Sequence, residues 1–236
     1  MGKYGKNRYK NSEGIFEKMV AKEFRIESIS IIVGGFLVLI ATFLHPPLVD
    51  PYNGAKAIHQ FSHCNIWMED HVLMLCGIVC WLLGLAGCKP FISSQHKAST
   101  MAAALCYISL CLWIMILTTE LTILPVLGAE MKRPYDVYIA AVWKAAFSFG
   151  LLAGYFAVAC SWLAIILYGC AMKKSGHRFS NWFTNGTIFF GLLGFIGIIV
   201  ICFSFHLGYV ILPLTSGPVF LWTMWLGYRA GFANIR

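Results

Sequence analysis

Residues 67–88 read WMEDHVLMLCGIVCWLLGLAGC, and this stretch decides the fold. No charged side chain falls between His71 and Lys89. That is an apolar run close to the roughly 17–25 residues a helix needs to cross a hydrocarbon core of about 30 Å. Its first turn is different in kind, because Glu69, Asp70 and His71 stand together where the run begins.

Similar runs lie on both sides. Candidate spans are 28–45, 67–88, 100–127, 137–171, 186–211 and 217–232. The last is the weakest, because Pro213, Gly217 and Pro218 interrupt the hydrophobic pattern before it, and five spans with a re-entrant segment is the alternative. The whole chain agrees with this reading: 12% of its residues are charged, 59% are hydrophobic and the mean hydropathy is +0.72. A soluble domain carries about 25% charged and 45–50% apolar residues. No connecting stretch is long enough to hold a soluble domain. The expected fold class is therefore all-α, a polytopic bundle of about six transmembrane helices over 27–236, with the lipid bilayer as its solvent.

The net charge of +8 would suggest nucleic acid in a soluble protein. Here the positive residues flank hydrophobic runs, where they act on topology and anionic lipid, so no nucleic-acid partner is expected. Lys89 and Lys97 follow the second span, Lys173, Lys174 and Arg178 follow the fourth, and Arg229 and Arg236 close the chain. With the basic segment 1–26 on the same side, the bias predicts a multi-pass protein with N-terminus and C-terminus both cytoplasmic. Ile15, Phe16, Met19, Val20 and Phe24 recur at helical spacing among the lysines of that segment, the pattern of an amphipathic helix on the membrane surface. The first apolar run ends in Leu44-His-Pro-Pro47 rather than at a small-residue cleavage site, so it reads as a retained span. Most of the nine cysteines sit inside apolar runs, where a thiol packs as a small hydrophobe and no disulfide framework is implied.

Span four is about 35 residues long, too long for a straight crossing, and should tilt, kink or continue beyond the membrane. It contains the pair Gly150 and Gly154, and span five contains Gly191, Gly194 and Gly197; both sets are expected to let helix backbones approach. Tryptophans 67, 143, 182, 222 and 225 fall near span ends, as an interfacial aromatic belt requires.

Placing the ionisable residues by depth gathers His45, Glu69, Asp70, His71, Glu120, Lys144 and His206 near one face of the membrane. Such groups cost about 2.5–3.5 kcal/mol at the bilayer centre, and so they face the bundle interior and find partners. Glu120 and Lys144 are the expected ion pair, either locking spans three and four or forming a proton or cation site. Continued as one helix into span two, the segment 55–71 would put His59, His63 and His71 on one stripe. Imidazoles so placed suit copper, zinc or iron. Haem b is the other cofactor the histidines could serve, with His71 opposed by His45 or His206.

Phosphate-binding, dinucleotide-binding, serine-hydrolase and C-x-x-C patterns are all missing, and no catalytic residue can be assigned. Three readings remain open. One is a small membrane subunit of a larger complex that binds haem or a metal for electron transfer. Another is a non-catalytic assembly subunit working with other membrane subunits. The third is a transporter or ion-pathway protein using Glu120 and Lys144.

Overall fold

The computed structural model describes residues 25–47, 49–93, 96–131, 136–175 and 179–232. These are mostly helical, with no strand among the described residues. The basic segment expected over 1–26 lies outside the described residues except for Arg25 and Ile26, which open the first helix. In chain order the helices are α1 (Arg25–Leu44), α2 (Gly54–His63), α3 (Trp67–Gly87), α4 (Lys89–Ser93), α5 (Lys97–Leu121), α6 (Ile123–Glu130), α7 (Val137–Lys174), α8 (Asn181–Phe203) and α9 (Gly208–Gly231). Six segments are long and apolar enough to cross a membrane: α1, α3 with α4, α5 with α6, α7, α8, and α9 with its preceding turn.

Each spanning helix packs along the next one in sequence, and α9 returns to α1, so the six close into a ring. Short connections dictate this order, because consecutive helices joined by few residues become antiparallel neighbours. The ring is filled. Trp81 meets Trp162 and Phe220 inside it, in one core with Trp222 and with leucine and isoleucine side chains from every spanning helix, α5 contributing Leu110 and Leu117 beside Cys106. No water reaches such an interior to satisfy an indole N–H, so each needs a partner within the protein. Trp81 Nε1 donates to Thr223 Oγ1 at 2.9 Å, Trp162 to Ser216 Oγ at 2.9 Å and Trp222 to Thr187 Oγ1 at 3.0 Å.

Helix separation is set where glycine removes a side chain. On the α1–α3 contact, a Cβ built at Gly77 would fall 2.8 Å from the backbone nitrogen of Val38. On the α7–α8 contact, one at Gly191 would fall 2.9 Å from the nitrogen of Ile166. Here backbone meets backbone, as small residues allow in membrane helices. The expected close backbone approach thus holds for span five but not for Gly150, where a Cβ would make only ordinary contacts at 3.9 Å, nor for Gly154, where it would meet nothing within 4 Å.

Three sequence expectations are corrected. The boundary between the last two spans lies at Ser204, not around Pro213–Pro218. Ser204 has non-helical backbone angles of −150° and 61°, and a 3-10 turn at Phe205–Leu207 follows. Both prolines lie inside α9. Hydropathy runs straight across Ser204, and membrane helices tolerate proline because neighbouring groups re-satisfy the freed carbonyls. The tryptophans do not form a lipid-facing belt: Trp143 is fully buried, Trp67 and Trp222 nearly so, while Trp182 is exposed. Lastly, α2 ends at His63 and a new helix begins at Trp67, because Cys64 takes an extended conformation. The stripe of His59, His63 and His71 therefore does not form.

The 38 residues of α7 run on without a break, and its first turns carry α2 and α6 as a cap over one end of the ring. Ala57, Leu124, Trp67 and Trp143 form the small core of this cap.

Gly77→Val would force α1 away from α3 and is expected to cost about 1–3 kcal/mol, as overpacking does. Thermal unfolding in detergent reads it; an unchanged midpoint would contradict the backbone contact.

Candidate functional site

Under the cap, four ionisable side chains converge from three helices. His45 follows the last turn of α1, where its backbone N–H still bonds Ala41 O at 2.8 Å and Pro46 prevents continuation. Asp70 and His71 belong to the first turns of α3, where acidic residues complement the helix dipole. Glu120 is in the last turn of α5.

His71 is held rigidly. Its Nδ1 lies 2.6 Å from the carbonyl oxygen of Trp67 and also contacts Asp70 Oδ1. A carbonyl only accepts, so Nδ1 carries a proton and points Nε2 the other way. The imidazole is further fixed by stacking on Trp67, with centroids 4.2 Å apart and planes 25° from parallel. Nε2 faces Glu120 Oε2 at 3.1 Å. The approach is not in line as a hydrogen bond, and Nε2 has no hydrogen-bond partner; Asp70 Oδ2 is a second buried orphan.

His45 repeats the arrangement. Its Nδ1 donates to its neighbour's carbonyl, Pro46 O, at 2.7 Å, and Nε2 makes no hydrogen bond among the described residues. The ring is half-buried, with its centroid 5.0 Å from that of His71. Burial lowers its pKa, and a positive charge on the adjoining His71 would lower it further, so the neutral form with its lone pair is favoured. His45, Asp70 and His71 can each bring a donor atom within 4.8 Å of the others. Glu120 adds a carboxylate whose side chain keeps 16% exposure.

Trp67 links these parts. Besides stacking on His71 and accepting its N–H at the backbone, it donates its indole N–H to the carbonyl of Glu120 at 2.8 Å. Phe61 of α2 packs edge-on against it at 5.0 Å. On its far side a groove of about 360 Å³ runs between α2 and α6, lined by Phe61, Met68, Pro125 and Met131.

Of the residues singled out in the sequence, His45 and His71 come together. His206 does not join them: it is exposed on the 3-10 turn, where Phe205 packs against Tyr52 and Tyr155. His59 and His63 stack on each other at 4.3 Å on the exposed side of α2, and His63 Nδ1 is engaged by His59 O. Glu120 makes its close contact with His71 rather than Lys144. The stem of Lys144 packs instead against α2, where a Cβ at Gly54 would meet Lys144 Cβ at 2.9 Å, and no ion pair joins it to Glu120 among the described residues. Opposite formal charge suggested the wrong partner. Asp70 and Trp67 are parts of the site that residue type alone did not assign, although both lie within the quoted 67–71.

No protein-family model, no curated protein and no solved structure matches the chain.

Trp67→Phe keeps an aromatic face on His71 but removes the bond to Glu120 O. The expected loss is about 0.5–1.5 kcal/mol of stability, read by thermal or denaturant unfolding. Equal stability would show that the indole N–H does not hold α3 to α5.

Proposed function

We propose that this protein is a membrane-embedded metal-binding subunit whose centre takes one first-row transition-metal ion through His45, His71 and Glu120, with Asp70 orienting His71. The observation that carries the reading is the unaligned 3.1 Å approach of His71 Nε2 and Glu120 Oε2. Both atoms bear lone pairs when the imidazole is neutral, and a metal ion between them would satisfy both where a proton on Nε2 would otherwise make the ring an imidazolium beside the carboxylate. Two donors each about 2.0–2.1 Å from a zinc-sized ion stand about 3.0–3.4 Å apart, and each sees the other about 40° off its own bond axis. A shared proton calls for the in-line geometry that is missing here.

The outer contacts support the same reading. A metal-bound imidazole usually donates its other N–H to a carboxylate or a backbone carbonyl, and both histidines do so. Two imidazoles and a carboxylate suit zinc, iron or copper, and the iron and copper cases would permit electron transfer. An ion fits better than haem b: imidazoles in trans across an iron at about 2 Å would stand with centroids more than about 6 Å apart, beyond the 5.0 Å of His45 and His71. Lys89, Lys97, Lys173, Lys174 and Arg229 lie towards the opposite end of the bundle, so the positive-inside rule puts this centre on the non-cytoplasmic side.

Metal analysis of the purified protein, with cobalt(II) titration followed by visible absorption, tests the proposal. One equivalent is expected in the wild type and none in His71→Ala. Asp70→Asn, which disturbs only the group behind His71, should weaken binding about 10–100-fold. A wild type that takes up no metal would refute the reading.

The contiguous chain Asp70–His71–Glu120 favours one second reading, a proton relay between two carboxylates. It predicts metal-free protein that moves protons in liposomes and stops in Glu120→Gln.

A further inference from the structure

The outer side of the cap carries a second pair of imidazoles that the buried centre does not use. His59 and His63 stand one helical turn apart on α2, which puts their side chains on one face. Both are exposed. The opposite face of α2 turns Ala57 and Phe61 inward to Trp67 and Trp143, so the helix that carries the pair is anchored.

The two rings already lie together, with centroids 4.3 Å apart. Imidazoles bound side by side to one ion, each nitrogen about 2.0–2.1 Å from it, have centroids about 4.5–5.2 Å apart, close to that spacing. His63 Nδ1 lies 2.8 Å from His59 O and 3.0 Å from Ser62 Oγ. Since the carbonyl only accepts, Nδ1 carries the proton and Nε2 holds a lone pair on the side away from it. The side chain of His59 makes no hydrogen bond among the described residues, its carbonyl alone serving Ser62 and His63. The ring planes are 28° from parallel and must open to share an ion, which exposed rings do by turning about χ2, a broad torsion in histidine.

No third histidine, cysteine or carboxylate joins the pair, because among the described residues such a group of three occurs at the centre alone. Two protein donors, with water in the remaining positions, make an open site whose ion exchanges readily. Nitrogen and oxygen donors in this number suit copper(II), which also heads the affinity order of the divalent ions. Ser62 and Cys64, on either side of His63 in the chain, line the groove that reaches Trp67, and Trp67 stacks on His71.

We propose that His59 and His63 form a second, exchangeable site for a first-row divalent metal ion, where the ion is captured before it enters the centre beneath the cap. The capture role rests on the metal reading above; the site itself does not. Held by two side chains only, this ion is removed on desalting, and the purified protein keeps the single equivalent of the centre.

Copper(II) titration of the full chain in detergent, followed by electron paramagnetic resonance, tests the site with the centre disabled. In His71→Ala one equivalent with hyperfine structure from two nitrogens is expected. Adding His59→Ala or His63→Ala to that background should weaken it at least about tenfold. Both positions face solvent, so unfolding midpoints should not move. No such signal in His71→Ala, or an undiminished one in both double variants, overturns the site. For capture, cobalt(II) loading of the centre at limiting metal, followed by stopped-flow absorption, should slow at least about tenfold in the His59→Ala, His63→Ala double variant with the final stoichiometry unchanged. Equal rates would overturn capture. A wild type whose centre takes up no cobalt would count against the metal reading and against capture together, while the copper titration decides the site.

Discussion

Inside this bundle Nε2 of His71 and Oε2 of Glu120 stand 3.1 Å apart, and much of one end of the structure keeps them there. Trp67 does most of that. Its carbonyl fixes the tautomer of His71, its ring fixes the plane of the imidazole, and its indole N–H holds the chain at Glu120. The cap formed by α2 and α6 packs around the same indole through Phe61 and Leu124. A buried imidazole facing a carboxylate is costly unless a positive charge, on the ring or between the two groups, joins them.

The glycines of the bundle serve two opposite ends. Gly77 and Gly191 let backbones touch, and so determine how closely α1 lies on α3 and α7 on α8. Gly150 and Gly154 make no such close approach, a Cβ meeting its neighbours only at 3.9 Å at the first and none within 4 Å at the second. A glycine inside an apolar run reads much the same in both cases. Only the opposing helix decides between contact and void, and sequence spacing does not contain the opposing helix.

The same limit explains what was legible. Length and hydropathy located the first four spans to within a few residues, because apolar runs of crossing length have no soluble alternative. Hydropathy was blind to the turn at Ser204, whose neighbours are as apolar as a helix interior, and it overvalued the prolines of α9. Depth alone brought His45, His71 and Glu120 to one level, since antiparallel spans alternate their ends. It brought His206 to that level too, where the residue faces outward. The pairing of Glu120 with Lys144 followed formal charge, whereas the imidazole of His71 on the adjoining helix was nearer. The stripe of His59, His63 and His71 assumed a helix through Cys64, a residue whose extended conformation carries no strong sequence signal.

The central claim concerns what lies between His71 and Glu120, and anomalous diffraction from crystals grown with cobalt(II) or zinc addresses it most directly. The account predicts one anomalous peak about 2.0–2.1 Å from both His71 Nε2 and a Glu120 oxygen, within reach of His45. A map with no peak there, and with Nε2 and Oε2 drawn into an in-line hydrogen bond, would contradict it.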